Sequence, residues 1–163
     1  MIYTDSKLIF ADLTYKVRGA IFNVYNALGP GHKEPVYGKA LIKEFTIKNI
    51  PFQTETPLDV KYRGEKVGNY RPDFLIDNCL ILEIKATEFM PKIFEQQLIR
   101  YLKTTNFKIG LLVNFGQPTL FIKRLIWTNP RKSLPASSLS CKRWQAGARN
   151  PRKFKSEFEN YTL

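Results

Sequence analysis

The chain has 163 residues, of which 44% are hydrophobic and 13% aromatic, and it carries 26 Lys and Arg against 14 Asp and Glu. This length supports one globular domain with a sizeable core. The net charge of +12 predicts a polyanionic partner, such as phosphate groups or an anionic membrane surface, without saying which. No apolar run is long enough to cross a membrane, and the first ten residues lack a basic start and a long apolar segment. We therefore expect a cytoplasmic protein that does not bind membranes.

Cysteine usage agrees with a reducing compartment. The two cysteines, Cys79 and Cys141, lie far apart in the sequence, and Cys79 falls within an apolar run. A buried free thiol is therefore expected at Cys79 in preference to a disulfide.

The first third of the chain has the pattern of two helices. Between residues 7 and 28, apolar side chains recur at intervals of three and four, as on one side of an amphipathic helix, and Gly29-Pro30-Gly31 ends this pattern. A second helix is predicted from Glu34 to about Asn49, with Pro35 in its first turn. Glu34 is thereby expected at a helix start.

The middle of the chain has the pattern of paired strands. Residues 51–62 and 66–69 flank the turn signal Arg63-Gly64-Glu65 and predict one hairpin. Residues 71–76 and 79–84 flank Asp77-Asn78 and predict a second strand pair, whose second member is apolar enough for the middle of a sheet.

A helix and two strands complete the predicted domain. Pro91 opens a helix that reaches about Lys103, and residues 107–113 and 120–127 are strand candidates separated by a loop. The order of elements predicts an α/β domain over residues 1–127.

The last stretch, residues 128–163, changes character. It is rich in Ser, Pro and Asn, has no clear apolar period, and contributes half of the net charge. A flexible appendage and a nucleic-acid-binding arm both remain open for it. The basic residues that such an arm would use are Arg131, Lys132, Lys142, Arg143, Arg149, Arg152, Lys153 and Lys155.

The candidate chemistry lies in two carboxylates and a lysine on the predicted second strand pair. Asp73 follows Pro72 on one strand, and Glu83 and Lys85 share one face of the next because residues two apart in a strand point the same way. Hard divalent cations such as Mg²⁺ prefer oxygen ligands and keep open positions for a phosphate. An ion there would polarise the scissile phosphate, and Lys85 would orient water or offset charge in the transition state. The pattern predicts phosphodiester hydrolysis, although about one Glu-x-Lys triplet is expected in this chain by chance.

Five motifs in the right order resemble the GxxExxY proteins of the PD-(D/E)xK nuclease superfamily, whose fold is shared with many restriction endonucleases. The resemblance spans about residues 8–127. The matching motifs are Gly31-His32-Lys33-Glu34-Pro35-Val36-Tyr37, Tyr70-Arg71-Pro72-Asp73-Phe74, Leu82-Glu83-Ile84-Lys85-Ala86, Gln97-Leu98-Ile99-Arg100-Tyr101-Leu102-Lys103 and Gly110-Leu111-Leu112-Val113-Asn114-Phe115-Gly116.

The resemblance implies a restriction-endonuclease-like α/β fold, with a central mixed sheet of four or five strands flanked by helices. It also implies Mg²⁺, or Mn²⁺, as the cofactor, with Lys85 as the catalytic lysine and Gln97 and Tyr101 near the metal and the nucleic acid. The implied metal ligands are Glu34, Asp73, Glu83 and the carbonyl of Ile84.

Four further residues have two interpretations each. Arg71 and Lys92 would hold phosphates or are solvated surface charges. Tyr37 would contact substrate through its hydroxyl or pack against the sheet, and His32 is expected to be an exposed loop residue in preference to a catalytic base. Asn114 and Phe115 match the family without an assigned chemical role.

The sequence favours a nuclease, with DNA expected ahead of RNA as the substrate. A non-catalytic nucleic-acid-binding module on the same fold and a protein-interaction or assembly subunit are the alternatives, and a homo-oligomer stays open. The complete set of acids and lysine favours the enzyme, and the net charge argues against an interaction role alone.

Overall fold

The computed structural model of the chain describes residues 10–128. Within this range the chain forms three helices and seven strands in the order α, α, five strands, α and two strands. Their bounds are α1 Ala11–Leu28, α2 Glu34–Ile47, β1 Phe52–Thr54, β2 Leu58–Tyr62, β3 Glu65–Tyr70, β4 Phe74–Ile76, β5 Leu80–Lys85, α3 Lys92–Thr105, β6 Ile109–Asn114 and β7 Phe121–Ile126.

Five strands form one mixed sheet in the order β1-β4-β5-β6-β7, and β2 and β3 form a separate two-stranded sheet. Strands β5 and β6 are parallel, and the other neighbours in the large sheet are antiparallel. Helix α3 connects the parallel pair, as a parallel connection requires. The predicted α/β architecture with a mixed sheet of four to five strands between helices is confirmed.

The large sheet separates two apolar layers. One layer contains the buried sides of α1 and α2, and it receives Leu80, Leu82 and Ile84 from β5. The other contains the buried side of α3 together with Ile81. Because side chains alternate along a strand, Glu83 and Lys85 share one face of β5, as predicted, and the structure shows that this is the α3 side of the sheet.

The two hairpin turns are confirmed by their backbone conformation. Asp77 and Asn78 have φ values of 48° and 52°, and Arg63 and Gly64 have φ values of 52° and 90°. Two successive positive φ values are typical of the type I′ turn, whose twist matches that of the flanking strands. The turn at Asp77-Asn78 thus joins β4 tightly to β5.

The prediction of one strand over residues 51–62 is wrong. The segment forms two strands in different sheets: β1 pairs with β4, and β2 pairs with β3. The chain changes direction between them, where Glu55 has a φ of 50° and Pro57 has no backbone N–H to donate to a ladder. Pro57 was the signal in the sequence for this break.

Several element ends also differ from the prediction. Helix α2 ends at Ile47 because Asn49 adopts a φ of 52°. Strand β4 begins at Phe74 instead of residue 71, after Pro72, which cannot donate to the ladder. Asp73 therefore lies immediately before β4. Helix α1 is described from Ala11, and residues 7–9 of its predicted span lie outside the described residues.

The expectation of a free thiol at Cys79 is wrong. Cys79 is buried and disulfide-bonded, and the described residues contain no free cysteine. A disulfide-bonded cysteine does not indicate a reducing compartment. The cytoplasmic location stays a prediction. Among the described helices, none combines the length and apolar character needed to span a bilayer. The boundary between a domain at 1–127 and a tail at 128–163 also stays a prediction.

Candidate functional site

Three elements bring the predicted acidic residues and lysine to the carboxyl end of β5. Glu34 is the first residue of α2, and Glu83 and Lys85 lie at the end of β5. Phe74 pairs with Leu82, so Asp73, one residue earlier, lies opposite Glu83 as the antiparallel register continues.

The ammonium of Lys85 lies at the centre of this arrangement. Its Nζ donates to the carbonyl oxygen of Ile84 at 2.8 Å, and it lies 3.6 Å from Glu83 Oε2 and 4.0 Å from Glu34 Oε1. The same Nζ is 5.6 Å from the centroid of the Phe94 ring, which bounds it on the α3 side. One cation therefore contacts three of the four groups that the sequence assigned to a metal.

Asp73 contacts the backbone of β5. Its Oδ2 accepts a hydrogen bond from the Ile84 N–H at 2.8 Å. Burial raises the pKa of the Asp73 carboxyl, and the Ile84 N–H and the Lys85 ammonium oppose that rise. Burial likewise raises the pKa of Glu34, against the stabilising charge of Lys85. Both carboxyl groups would gain from a nearby cation, because opposite charge favours their ionised form.

Glu83 is the most strongly perturbed carboxyl group of the three. Burial raises its pKa to about 7, and the negative charge of Asp73 adds to the rise. The Tyr70 hydroxyl donates a hydrogen bond to Glu83 Oε1, which opposes the rise, as does Lys85. Burial and the neighbouring Glu83 charge raise the pKa of Tyr70 in turn, so Tyr70 remains a donor. A perturbed carboxyl in a recess is typical of functional sites.

Tyr70 is a site residue that the sequence reasoning missed. Its ring stacks on Tyr101, with ring centroids 3.4 Å apart and planes inclined by 10°. Gln97 Nε2 donates to the Tyr101 hydroxyl at 2.8 Å, so the predicted pair on α3 is connected to Glu83 through Tyr70. The available signal was the position of Tyr70 three residues before Asp73, within a motif already quoted.

A small pocket lies between this end of β5 and α3. Its volume of about 10 Å³ accommodates about one water molecule. Polar groups share the lining with apolar ones, which fits a site that holds a polar reactant beside the sheet. The lining residues are Glu83, Lys85, Phe94, Gln97, Leu98, Tyr101 and Leu112.

The donor chemistry of the site fits a hard divalent cation, because Glu34, Asp73, Glu83 and the Ile84 carbonyl all offer oxygen. Within residues 10–128, however, no three His, Cys, Asp or Glu side chains form a group able to hold a metal as they stand. The ammonium of Lys85 instead contacts three of these oxygen donors, those of Glu34, Glu83 and the Ile84 carbonyl.

Asn114, which had no assigned role, braces the chain where it leaves β5. Its Oδ1 accepts from the Thr87 N–H at 3.0 Å, and its Nδ2 donates to the Thr87 carbonyl at 2.8 Å. Phe115 N–H donates to the Lys85 carbonyl at 2.8 Å. A Cβ at Gly116 would lie 2.4 Å from the Thr87 nitrogen, so only glycine fits there. This Asn-Phe-Gly segment thus holds the backbone on which Lys85 is mounted.

Tyr37 braces the loop before Glu34. Its hydroxyl donates to the Gly29 carbonyl at 2.7 Å and accepts from the His32 N–H at 3.2 Å, and its buried ring stacks on Phe115. Gly31 has a φ of 101°, which favours glycine. The packing interpretation of Tyr37 is therefore confirmed, and His32 is exposed as expected.

The other predicted contacts are not brought into the pocket. Arg71 and Lys92 are exposed, in the segment before Asp73 and at the first residue of α3 respectively. The eight basic residues of the C-terminal tail, Arg131 to Lys155, lie outside the described residues, so their predicted role stays a prediction.

Comparison with known families adds an independent observation. A family model described as the PD-(D/E)XK nuclease superfamily matches residues 11–125, a range that contains all three helices and nearly all of the sheet. Neither the curated proteins nor the solved structures gave a match. The matched range covers well over half of the chain, and the five-stranded mixed sheet flanked by helices is consistent with the restriction-endonuclease-like fold. The chain belongs to the PD-(D/E)XK nuclease superfamily.

Proposed function

We propose that the chain is a metal-dependent nuclease that hydrolyses phosphodiester bonds of nucleic acid, with DNA ahead of RNA as its substrate and Mg²⁺ or Mn²⁺ as its cofactor. Membership of the superfamily supports a nuclease, and the net charge of +12 suits a polyanionic substrate. The observation that carries the proposal is the convergence of oxygens from α2 and β5 on one positive charge, the Lys85 ammonium.

The residues proposed to hold the metal are Glu34, Asp73, Glu83 and the carbonyl of Ile84. A bound divalent ion supplies Lewis acidity at the scissile phosphate and lowers the pKa of a water molecule. The raised pKa values of all three carboxyl groups support the assignment, because burial disfavours their charged forms and a cation would favour them.

Lys85 is the proposed catalytic lysine. It contacts the proposed ligand oxygens and also lines the pocket beside α3, so a metal held by those oxygens would take the place of its ammonium and leave Lys85 beside the pocket. There its ammonium would donate to a phosphate oxygen or hold the attacking water. Gln97 and Tyr101 line the same pocket, and we assign them to contacts with the substrate strand.

We also propose the finer assignment to the GxxExxY group within the superfamily. The support is structural: the loop that carries the first three letters of the motif is held by Tyr37, its last letter, through contacts with Gly29 and His32. The motif thereby places Glu34 at the start of α2, beside Lys85.

A non-catalytic nucleic-acid-binding module is the second candidate. It is favoured by the absence, within residues 10–128, of a ready-made group of three metal-binding side chains. On this alternative Lys85 stays in place permanently and neutralises the carboxylates. Binding would then be sensitive to salt and indifferent to divalent metal.

The test is digestion of labelled single-stranded and double-stranded DNA and RNA by the full chain, with Mg²⁺, Mn²⁺ or a chelator. Asp73→Asn and Glu83→Gln remove a proposed ligand charge without changing side-chain size. Glu95→Gln is the matched control, because Glu95 pairs with Lys123 on β7 and does not line the pocket. We expect cleavage to fall by about 100-fold or more in both ligand variants, the scale of losing a group that stabilises the transition state.

Cleavage that requires metal, survives in Glu95→Gln and is lost in both ligand variants would support the nuclease. Nucleic-acid binding without cleavage, unchanged by metal and by either ligand substitution, would replace it with the binding module. Cleavage that persists in the ligand variants would show that the site lies elsewhere.

A further inference from the structure

Two large apolar side chains are exposed in the segment that joins the end of β5 to the first turn of α3. Phe89 lies in the connection from β5 to α3 and is 77% exposed, and Ile93 in the first turn of α3 is 51% exposed. Ile93 is the neighbour of Phe94, which lines the pocket and contacts Lys85. We call Phe89 and Ile93 the apolar rim. Single exposed apolar residues are common, but two within one short segment, one of them next to the pocket-lining Phe94, form a surface feature.

The loop that carries Phe89 is held by hydrogen bonds at Thr87 and Glu88, the two residues before it. Thr87 is bonded through its N–H and its carbonyl to Asn114, and the Glu88 carbonyl accepts from Gln117 Nε2 at 3.0 Å. The Thr87 hydroxyl donates to the Phe89 carbonyl at 2.7 Å. Hydrogen bonds therefore fix the backbone that presents the Phe89 ring to solvent, which costs hydrophobic free energy unless a ligand covers the ring.

The apolar rim is within reach of the phosphate that Lys85 would contact. Phe89 is four positions after Lys85 in the sequence, so their Cα atoms are at most about 14 Å apart. One strand of B-DNA advances about 3.4 Å per base, so Phe89 lies within about four bases of the proposed scissile phosphate. Ile93 precedes Gln97 by one helical turn and shares its face of α3.

We propose that Phe89 is a stacking platform for an unpaired nucleobase of the substrate strand, with Ile93 as the apolar floor beside it. The site would accordingly take single-stranded nucleic acid, or an unpaired end, in preference to a continuous duplex. Base faces in a duplex are covered by their neighbours, whereas an unpaired base can stack on an aromatic ring regardless of its sequence. This inference rests on the proposed function and names the substrate class of that site.

Charge beside the apolar rim suits a strand in this orientation. The exposed Lys92 lies between Phe89 and Ile93 in the sequence, and Lys85 lies at the end of β5. A strand that stacks a base on Phe89 has its phosphates on the outside, where these two ammonium groups can neutralise them. Stacking then supplies affinity for the base, and the lysines supply affinity for the backbone.

The test measures binding of the full chain to a short labelled oligonucleotide, single-stranded or annealed to its complement, in a chelator so that no cleavage occurs. Phe89→Ala removes the ring, and Phe89→Trp keeps an aromatic face. Tyr15→Ala is the matched control, because Tyr15 is 80% exposed on α1, an element that packs against the opposite side of the sheet. Substitution of an exposed side chain has little effect on folding, which thermal unfolding would verify for each variant.

We expect Phe89→Ala to weaken single-strand binding by about tenfold or more, the scale of one lost base stack, and to change duplex binding by less than about twofold. Phe89→Trp and Tyr15→Ala should bind both oligonucleotides as the native chain does. The added tryptophan gives a second readout: its fluorescence should be quenched by the single strand and not by the duplex.

Unchanged single-strand affinity in Phe89→Ala, or an equal loss for both oligonucleotides, would overturn the stacking platform. Metal-dependent cleavage by the native chain together with either result would leave the nuclease standing and remove only this inference. A native chain that binds neither oligonucleotide in the chelator would also overturn the stacking platform, whereas the digestion experiment alone decides whether the nuclease stands.

Discussion

The two faces of the large sheet differ although they share the same strands. On the α1 and α2 side, β5 contributes Leu80, Leu82 and Ile84 to a continuous apolar core. On the α3 side the same strand contributes Ile81, then the buried carboxyl of Glu83 and the lysine after it. The α1 and α2 side stabilises the fold through apolar packing. On the α3 side, charged groups, among them Glu83 with its raised pKa, take the place of apolar ones. Because side chains alternate along β5, the adjacent residues Leu82 and Glu83 lie on opposite faces, one in the apolar core and the other in the candidate site.

The largest expected effect is at Leu82, which is fully buried on the apolar side. Leu82→Ala should lower the free energy of unfolding by about 2–5 kcal/mol, because it removes transfer free energy and leaves a cavity. Glu83→Gln, at the next residue but on the other face, should not lower it at pH 8. Urea unfolding of both variants measures the contrast. Similar losses in the two variants would show that the faces are not divided in this way.

The second prediction concerns how the free energy of unfolding depends on pH through Glu83. The pKa of Glu83 is about 7 in the folded chain, above its usual value of 4.5, so the folded state binds more protons than the unfolded state between these values. The free energy of unfolding in a chelator should therefore fall as pH rises from about 4.5 to 7, and Asp73 and Glu34 act in the same direction.

In Glu83→Gln this fall should be smaller by about 1–3 kcal/mol, because one titrating group is missing. Urea unfolding at a series of pH values in chelator measures the difference between the two chains. Parallel curves for the native chain and the variant would contradict the role of Glu83.

The third effect concerns the cation at the polar face. Lys85→Met removes the ammonium that contacts Glu83, Glu34 and the Ile84 carbonyl, so Mn²⁺ should bind about tenfold more tightly, or better. Lys123→Met is the control, because it removes the same charge where it pairs with Glu95 on the exposed surface. Calorimetric titration with Mn²⁺ measures both affinities. Equal or weaker Mn²⁺ binding in Lys85→Met would show that Lys85 and a metal do not compete.

Much of the fold was predictable because local patterns agree with it. The amphipathic period of α1, the apolar run of β5 and the turn residues Asp77-Asn78 each indicated an element that the structure contains. Local residues such as Pro57, Asn49 and Pro72 account for the element ends that differ, but distant pairing decides which sheet a strand joins. The break after Thr54 depends on β1 pairing with β4, and a chain segment cannot show from its own composition which sheet it will join.

The candidate site was predictable in its residue types and not in its connections. The sequence placed Glu83 and Lys85 on one face of a strand, and the structure adds the ammonium of Lys85 among the oxygens of Ile84, Glu83 and Glu34. It also adds Tyr70, which holds Glu83, and Asn114, which holds Thr87. Tyr70 and Glu83 are 13 positions apart, and Thr87 and Asn114 are 27 apart. The hydrophobic periodicity of the sequence cannot predict contacts over such separations.

By itself, the sequence determined the order of elements, the sheet-facing stripe of each helix and the residue types of an oxygen-rich site, because these follow from the period of the chain and the chemistry of side chains. Only the tertiary structure decided that Lys85 contacts Glu34, Glu83 and the Ile84 carbonyl and that the Phe89 side chain is exposed. The physical reason is that charge, burial and exposure depend on what folding brings near each group. That neighbourhood is a property of the packed chain and not of any segment within it.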